Sequence, residues 1–157
     1  MTVNRFCSSG LEAIALAGLK IQAGWVDIAM GSGLESMTIV PMGGNLPRPH
    51  PDWAKKNPDV YISMGITAEN VAERFNVGRE EQDRIGYRSQ QLAKKAIDAG
   101  LFKEEIVPVE IKTKKGVTVF DTDEHPRPDS TLEAMAKLPG AFKKDGTVTA
   151  GNASGIN

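Results

Sequence analysis

The sequence has one cysteine, two histidines and few aromatic residues, which make up 6% of its 157 residues. One cysteine excludes an internal disulfide framework, and so few cysteines and histidines argue against a zinc site. The 19 basic and 20 acidic side chains nearly cancel, whereas nucleic-acid binding requires a basic excess. No apolar run approaches the roughly 20 residues that span a bilayer. These absences predict a globular protein without a metal site, a nucleic-acid partner or a membrane span.

The single cysteine, Cys7, stands immediately before a long stretch of small and apolar residues. Residues 8–23 are apolar on nearly all helical faces, which is typical of a helix buried between other layers. Gly24 follows where a left-handed cap is needed. A thiol at the start of a helix lies at the positive end of its dipole, which stabilises a thiolate. Cys7 is therefore either a small buried residue or a nucleophile, and the residues alone favour both readings about equally.

The segment after this helix has the pattern of a parallel α/β unit. Residues 26–30 (VDIAM) read as a short buried strand that runs into glycines. Its partner strand is expected before Cys7, where only residues 2–5 are available. The pattern predicts the α/β class.

From residue 38 onward the sequence predicts an α/β insert. Residues 38–63 carry five prolines and little periodicity, which predicts a long irregular excursion. Helices are predicted over residues 67–75 and 79–99, followed by a hairpin over residues 106–121. Ser130 and Glu133 have the spacing of a capping box and predict a further short helix.

Two segments of this insert are candidates for ligand binding. Arg127 stands between two prolines, where its guanidinium is suited to a phosphate, although a surface ion pair with a nearby aspartate or glutamate is the simpler reading. Residues 149–155 (TAGNASG) are small, which suits a close backbone approach to a ligand or merely a tight turn.

Five segments, in this order, resemble the thiolase family: VNRFCSSGLEAI, GLESMT, MGITAENVAERF, REEQDRIGYRSQQLAKKAIDAGLFKEEIVPV and KDGTVTAGNASGIN. The resemblance covers essentially the whole chain. It implies a thiolase-like α/β fold, with residues 1–37 as a fragment of the N-terminal core domain bearing the nucleophile. Residues 38–157 would form the CoA-binding loop domain and the return to the core. PMGG, MGIT and the RP at Arg127 favour the 3-ketoacyl-CoA thiolase type, and the acetyl-CoA C-acetyltransferase type stays open.

The resemblance also implies an activity and its residues. Cys7 would attack the 3-keto carbon of a 3-oxoacyl-CoA, acetyl-CoA would leave, and a second CoA would collect the acyl group from the sulfur. CoA is then a substrate, and no metal or other cofactor is expected. The family's CoA contacts fall on Met64, Arg127, Phe142, Ala150 and Ser154.

The family's further motifs shape the expectations for the whole protein. An asparagine motif, a histidine motif and a second cysteine supply acid–base groups and oxyanion holes in thiolases, and they would follow Asn157. We therefore expect a central fragment that is inactive alone, from an enzyme that forms a homodimer or homotetramer and is cytoplasmic if the source is bacterial. The rival from another class is a non-catalytic acyl-CoA or lipid-binding relative.

Overall fold

A computed structural model describes residues 1–155; residues 156–157, the last two of the predicted loop domain, lie outside the described part. Backbone contacts divide the chain into two compact units, Met1–His50 and Pro51–Asn157. The elements are α1 (Ser9–Gln22), α2 (Pro51–Lys56), a 3₁₀ turn (Pro58–Tyr61), α3 (Met64–Phe75), α4 (Arg79–Asp98), β1 (Val109–Thr113), β2 (Gly116–Phe120) and α5 (Leu132–Ala136). Helices with a small sheet agree with the predicted α/β class. The division into family domains at residues 37 and 38 stays a prediction.

The first unit contains the predicted helix, α1, but not in the predicted environment. Gly24 adopts a φ of 69° after the helix, which confirms the left-handed cap. No residue of α1 is buried, and Leu11 is 72% exposed, so the prediction of a buried helix is wrong. The chain at Gly31 lies against α1 at Ile14, but the described residues of this unit form no second helix or strand that would cover the other apolar side chains of α1.

The two predicted strands of the first unit are also wrong. Residues 2–5 and 26–30 form no strand, and the nearest feature is an isolated bridge between Arg5 and Cys7. A strand requires a neighbour that pairs with its N–H and C=O groups. The described residues of the unit supply no such ladder, and Ile28 and Met30 are exposed.

The second unit contains the two predicted long helices. Helix α3 begins at Met64 rather than at Thr67 because Ser63 is its N-cap, with the Ser63 hydroxyl accepting a hydrogen bond from the Ile66 amide at 3.3 Å. Helix α4 begins after Gly78 and ends one residue earlier than predicted. Gly100 has the expected left-handed conformation, with a φ of 69°.

The shorter elements confirm some predictions and correct others. Strands β1 and β2 form the predicted hairpin, with Val109 opposite Phe120. The predicted irregular excursion contains α2 and the 3₁₀ turn, so that prediction is partly wrong. Thr131, not Ser130, caps α5, because its hydroxyl accepts a hydrogen bond from the Ala134 amide at 3.1 Å.

The core of the second unit is small and unusually polar. Its buried hydrophobic side chains are Ala72, Met135 and Val148, and its buried polar side chains are Glu69, Asp83 and Thr149. Buried carboxylates are costly unless they are paired and hydrogen-bonded. The stability of this core therefore depends on the contacts that Glu69 and Asp83 make. Across residues 1–155, no helix is long and apolar enough to cross a membrane.

Candidate active site

Cys7 lies in a tight turn just before Ser8, the N-cap residue of α1. The preceding residue, Phe6, has a φ of 49°, a left-handed conformation that costs free energy in a residue with a Cβ atom. Two side chains hold this turn: the Asn4 carboxamide accepts from the Phe6 amide at 2.8 Å, and the Ser9 hydroxyl donates to the Phe6 carbonyl at 2.7 Å. The thiol is exposed. Like a nucleophile elbow, this turn is strained and presents an exposed side chain before a helix, but residues 2–5 do not form the strand that precedes the nucleophile in an elbow.

A cavity of about 560 Å³ in the first unit includes Cys7 in its lining. The wall is largely apolar or glycine, and its members include Phe6, Gly33, Leu34, Met37, Val40, Met42, Gly43 and Gly44. The polar contributors are Asn4, Ser9 and Glu35. Of the described residues that line it, none is a histidine. The cavity can therefore receive an apolar group beside the sulfur, but it contains no imidazole that could take the thiol proton.

The second unit contains the five other predicted site residues. Met64 is the first residue of α3 and is 74% exposed. The Phe142 ring lies directly on the backbone of Gly65, so closely that a Cβ atom at position 65 would overlap the ring. Met64 and Phe142 are thereby brought to the same end of α3.

Ala150 and Ser154 are exposed residues of a loop whose base is buried. Thr149, which precedes the loop, is 0% exposed. The Thr149 amide donates to the Asn152 carboxamide oxygen at 2.7 Å, and the Asn152 Nδ2 atom donates to the Thr147 carbonyl at 3.0 Å. These bonds fold the loop around the Asn152 side chain.

Glu69 of α3 connects this segment to the helix that begins with Met64. Its Oε1 atom accepts from the Val148 amide at 2.8 Å, and its Oε2 atom accepts from the Thr147 amide and hydroxyl, both at 3.0 Å. Burial by itself raises the pKa of Glu69, but these hydrogen bonds and the charge of Lys143 hold the pKa below its ordinary value. Glu69 is therefore an ionised carboxylate that fixes the position of residues 147–148 relative to α3.

Asp83 of α4 is the second buried carboxylate. It accepts from Arg79 Nε and from Asn152 Nδ2, both at 2.8 Å. The same guanidinium donates through Nη2 to the carbonyls of Met135 and Leu138, at 2.6 and 3.0 Å. Asp83 thus links the loop that contains Asn152 to the end of α5.

Arg127 is exposed and held at its backbone, where its amide donates to the Gln90 side-chain oxygen at 2.8 Å. Its guanidinium donates to the carbonyls of Glu124 and His125, at 3.2 and 3.5 Å. Among residues 1–155 no ion pair of Arg127 is formed, so the simpler alternative of a surface ion pair is not observed. A Cβ atom at Gly155 would overlap the His125 ring, which places the segment containing Arg127 beside the one containing Ser154.

The structure therefore groups Met64 with Phe142, and Arg127 with the loop of Ala150 and Ser154. Sequence reasoning missed Glu69, Asp83 and Asn152, which hold these segments in place. One signal was present for Glu69: it shares a helical face with Gly65 and Ala72, and all three are buried. Within the described residues, no group of three or more histidine, cysteine, aspartate or glutamate side chains is arranged to hold a metal ion.

Comparison with known proteins identifies the family. The chain matches the family model described as Thiolase, N-terminal domain, over residues 1–157. It is 53% identical to an acetyl-CoA acetyltransferase of Syntrophomonas wolfei, covering 99% of this chain and 43% of that protein. It is 48% identical to a 3-ketoacyl-CoA thiolase of Bacillus subtilis, covering 98% of this chain and 42% of that protein.

Solved structures give the same result. The dimeric peroxisomal thiolase of Saccharomyces cerevisiae superposes with a TM-score of 0.81 at 42% identity, covering 98% of this chain and 40% of that one. Human mitochondrial 3-ketoacyl-CoA thiolase in complex with CoA superposes with a TM-score of 0.75 at 38% identity, covering 98% and 41%. The chain spans less than half the length of these relatives. It has a thiolase-like fold and belongs to the thiolase family.

Proposed function

We propose that this chain is the part of a 3-ketoacyl-CoA thiolase that supplies the nucleophile, Cys7, and contacts for CoA. The observation that carries the proposal is the exposed Cys7 thiol in a strained turn before α1, beside an apolar cavity of about 560 Å³. An exposed thiol at a helix N-terminus is suited to form a covalent acyl intermediate. The cavity provides space for the acyl group that such an intermediate would hold.

In the proposed reaction the Cys7 thiolate attacks the 3-keto carbon of a 3-oxoacyl-CoA, which forms a carbon–sulfur bond. The bond between carbons 2 and 3 then breaks, and its electron pair leaves with the acetyl-CoA fragment, which takes up a proton at carbon 2. The thiol of a second CoA attacks the Cys7 thioester and releases the shortened acyl-CoA and the cysteine. The acid–base groups that move these protons would come from parts of the enzyme outside this chain, as would the oxyanion donors.

Contacts with CoA are proposed for five residues of the second unit: Met64, Arg127, Phe142, Ala150 and Ser154. The exposed guanidinium of Arg127 suits the adenosine phosphates, because it forms no ion pair among the described residues. The human mitochondrial relative has been crystallised in complex with CoA, which supports CoA as the ligand. The peroxisomal thiolase of Saccharomyces cerevisiae is dimeric, and we propose a homodimer or homotetramer for the whole enzyme.

The relatives also support a second candidate, an acetyl-CoA C-acetyltransferase. One of them carries that activity in its name, and it is more than half identical to this chain. A non-catalytic acyl-CoA or lipid-binding relative is the third. The binding relative differs from the two enzymes because its Cys7 would not catalyse a reaction. The two enzymes differ from each other in the length of the acyl chain that they accept.

Two experiments test the proposal. Calorimetry of this chain with CoA should show a dissociation constant tighter than about 1 mM, whereas NAD⁺, a dinucleotide without pantetheine, should not bind. In the second experiment, this chain replaces the matching segment of the Syntrophomonas wolfei relative. The chimera should cleave acetoacetyl-CoA or a longer 3-oxoacyl-CoA, and Cys7→Ala should abolish the cleavage. A folded chimera without Cys7-dependent cleavage would contradict the catalytic proposal and favour the binding relative.

A further inference from the structure

The loop of Ala150 and Ser154 is shaped by one side chain, that of Asn152. A carboxamide can accept two hydrogen bonds and donate two. Asn152 makes one acceptor and two donor contacts, with the Thr149 amide at 2.7 Å, the Asp83 carboxylate at 2.8 Å and the Thr147 carbonyl at 3.0 Å. The side chain therefore fixes the backbone on the N-terminal side of the loop and connects it to α4.

Asp83 is held from two sides. It is 4% exposed, and its Oδ2 atom accepts from Arg79 Nε while its Oδ1 atom accepts from Asn152. A buried carboxylate paired in this way has one favourable orientation. Asn152 is consequently held against a fixed group rather than a mobile one.

Close packing leaves the loop no room to shift toward α4. A Cβ atom at Gly86 of α4 would lie 2.8 Å from the Gly151 carbonyl oxygen, and one at Gly151 would lie 2.8 Å from the Leu138 side chain. The backbones are in direct contact at these two glycines. The hydrogen bonds of Asn152 and this packing together define one conformation of the loop.

We propose that Asn152 and Asp83 are positioning residues for the CoA site, which they serve by holding Ala150 and Ser154 in a binding-ready arrangement. The inference rests on the proposed function, because it assigns CoA to this loop. Among the described residues, the Ser154 hydroxyl contacts only the neighbouring Gly155 carbonyl, at 3.5 Å. The hydroxyl is therefore available to a ligand, while the Asn152 side chain makes three hydrogen bonds that hold the loop. A loop that is ordered before binding saves the ligand the free energy of ordering it.

Calorimetry with CoA and the 157-residue chain tests the proposal. Asn152→Ala removes all three contacts, and we expect the dissociation constant of CoA to rise about tenfold, because the loop loses two hydrogen bonds to its backbone and one to the Asp83 carboxylate. Asp83→Asn is the milder variant: the asparagine offers one oxygen to two donors, so one of the two contacts is lost. If Asn152→Ala does not fold, the CoA affinity of Asp83→Asn tests the proposal instead.

Thr113→Ala is the matched control. It removes a hydroxyl that donates to the Gly116 carbonyl at 3.0 Å in the turn of the β1–β2 hairpin, and should lower the free energy of unfolding by about 0.5–1 kcal/mol. Neither residue is among the contacts of Asn152, Asp83 or the loop described above, so the CoA affinity of this variant should stay within about twofold of wild type. Thermal unfolding of each variant establishes that affinities are compared between folded chains of similar stability.

Exchanging the carboxylate of Asp83 and the carboxamide of Asn152 should restore part of the CoA affinity. A variant that merely destabilises the chain could not produce this recovery. Asn152→Asp alone places a second carboxylate against Asp83 and should bind CoA weakly. In Asp83→Asn/Asn152→Asp, the new amide can donate to the new carboxylate while its oxygen accepts from Arg79. The new carboxylate cannot donate to the Thr147 carbonyl as Asn152 does, so only part of the affinity should return. If wild type binds CoA but Asn152→Ala and Asp83→Asn bind as tightly, or the exchange gives no recovery, the positioning role is overturned. If wild type does not bind CoA, the proposed CoA site fails first and this inference fails with it.

Discussion

The Val148 amide donates a 2.8 Å hydrogen bond to Oε1 of Glu69, a carboxylate that is 5% exposed. With the two contacts from Thr147 to Oε2, both at 3.0 Å, Glu69 accepts three hydrogen bonds from a segment 78 and 79 residues away in sequence. Helix α3 is therefore attached to the segment that leads into the proposed CoA loop by a buried charge. This attachment has consequences for stability that can be measured.

Glu69→Gln should lower the free energy of unfolding by about 1–3 kcal/mol at neutral pH, because a glutamine has one acceptor oxygen and would turn its amide toward a backbone N–H. Denaturant unfolding followed by circular dichroism measures the change. Glu73→Gln is the control, since Glu73 lies one turn further along α3 and, within residues 1–155, its side chain makes only an exposed 3.6 Å ion pair with Lys143. Its effect should stay within about 0.5 kcal/mol. Equal effects of the two variants would contradict the role of the buried contacts.

The same variant should remove part of the acid sensitivity of the chain. Because the pKa of Glu69 is lower in the folded chain than in the unfolded one, its ionised form stabilises the fold fully above the unfolded value of about 4.3. That contribution is lost as the pH falls through the lower folded value. Wild type and Glu69→Gln should therefore differ most at neutral pH and converge below about pH 4. A constant difference from pH 7 to pH 3 would show that ionisation of Glu69 is not involved.

Gly65→Ala should destabilise the second unit, although alanine is the better helix former. The new methyl group would overlap the Phe142 ring, and such overpacking costs about 1–3 kcal/mol. In a Phe142→Ala background the overlap disappears, and the same change should be neutral or stabilising by up to about 1 kcal/mol. A double-mutant cycle on thermal unfolding measures this coupling. Additive effects would mean that Phe142 does not lie on Gly65.

Arg127→Ala should weaken CoA binding by about five- to tenfold, because an exposed guanidinium bonds phosphate oxygens with charge assistance. Binding of pantetheine, which lacks the phosphates, should be unchanged. The loss for CoA should shrink as salt is added, since screening weakens exposed charge pairs. Arg84→Ala serves as the control, because Arg84 is also an exposed arginine and pairs only at 3.7 Å with Glu81. If calorimetry shows equal losses of affinity for CoA and pantetheine, Arg127 does not bind the phosphates and is an ordinary surface residue.

The elements that the sequence predicted well are those whose signals are local. Helix α4 follows from its acidic first turn and from Gly100, and the β1–β2 hairpin follows from two β-rich runs around a short turn. The strand expected at residues 26–30 failed because strand pairing depends on partners remote in sequence. The start of α3 was misplaced because the Ser63 cap is a single residue after an irregular segment.

In the candidate site, too, features with a local signal were predictable and contacts between residues remote in sequence were not. The position of Cys7 before a helix was predictable from the glycines and small residues that follow it, and the thiolase resemblance added the five proposed CoA contacts. Glu69 and Asp83 escaped notice because each stands among other charged residues, in AENVAER and REEQDR, and resembles a solvent-facing residue. Their role depends on Asn152, Thr147 and Val148, which are about 70 residues or more away in sequence. Only the folded chain brings these groups together.

The isolated 157-residue chain should have no thiolase turnover. The cavity at Cys7 contains no histidine among its described lining residues, and attack by the thiol requires a base for its proton and donors for the developing oxyanion. Loss of the enolate absorbance of acetoacetyl-CoA, followed in the presence of CoA, provides the assay. Turnover at about 1 per second or faster, abolished by Cys7→Ala, would show that this chain alone contains a complete site. CoA binding without turnover is the result we expect, because the proposed function assigns the CoA contacts and the nucleophile to this chain and the proton-transfer groups to other parts of the enzyme.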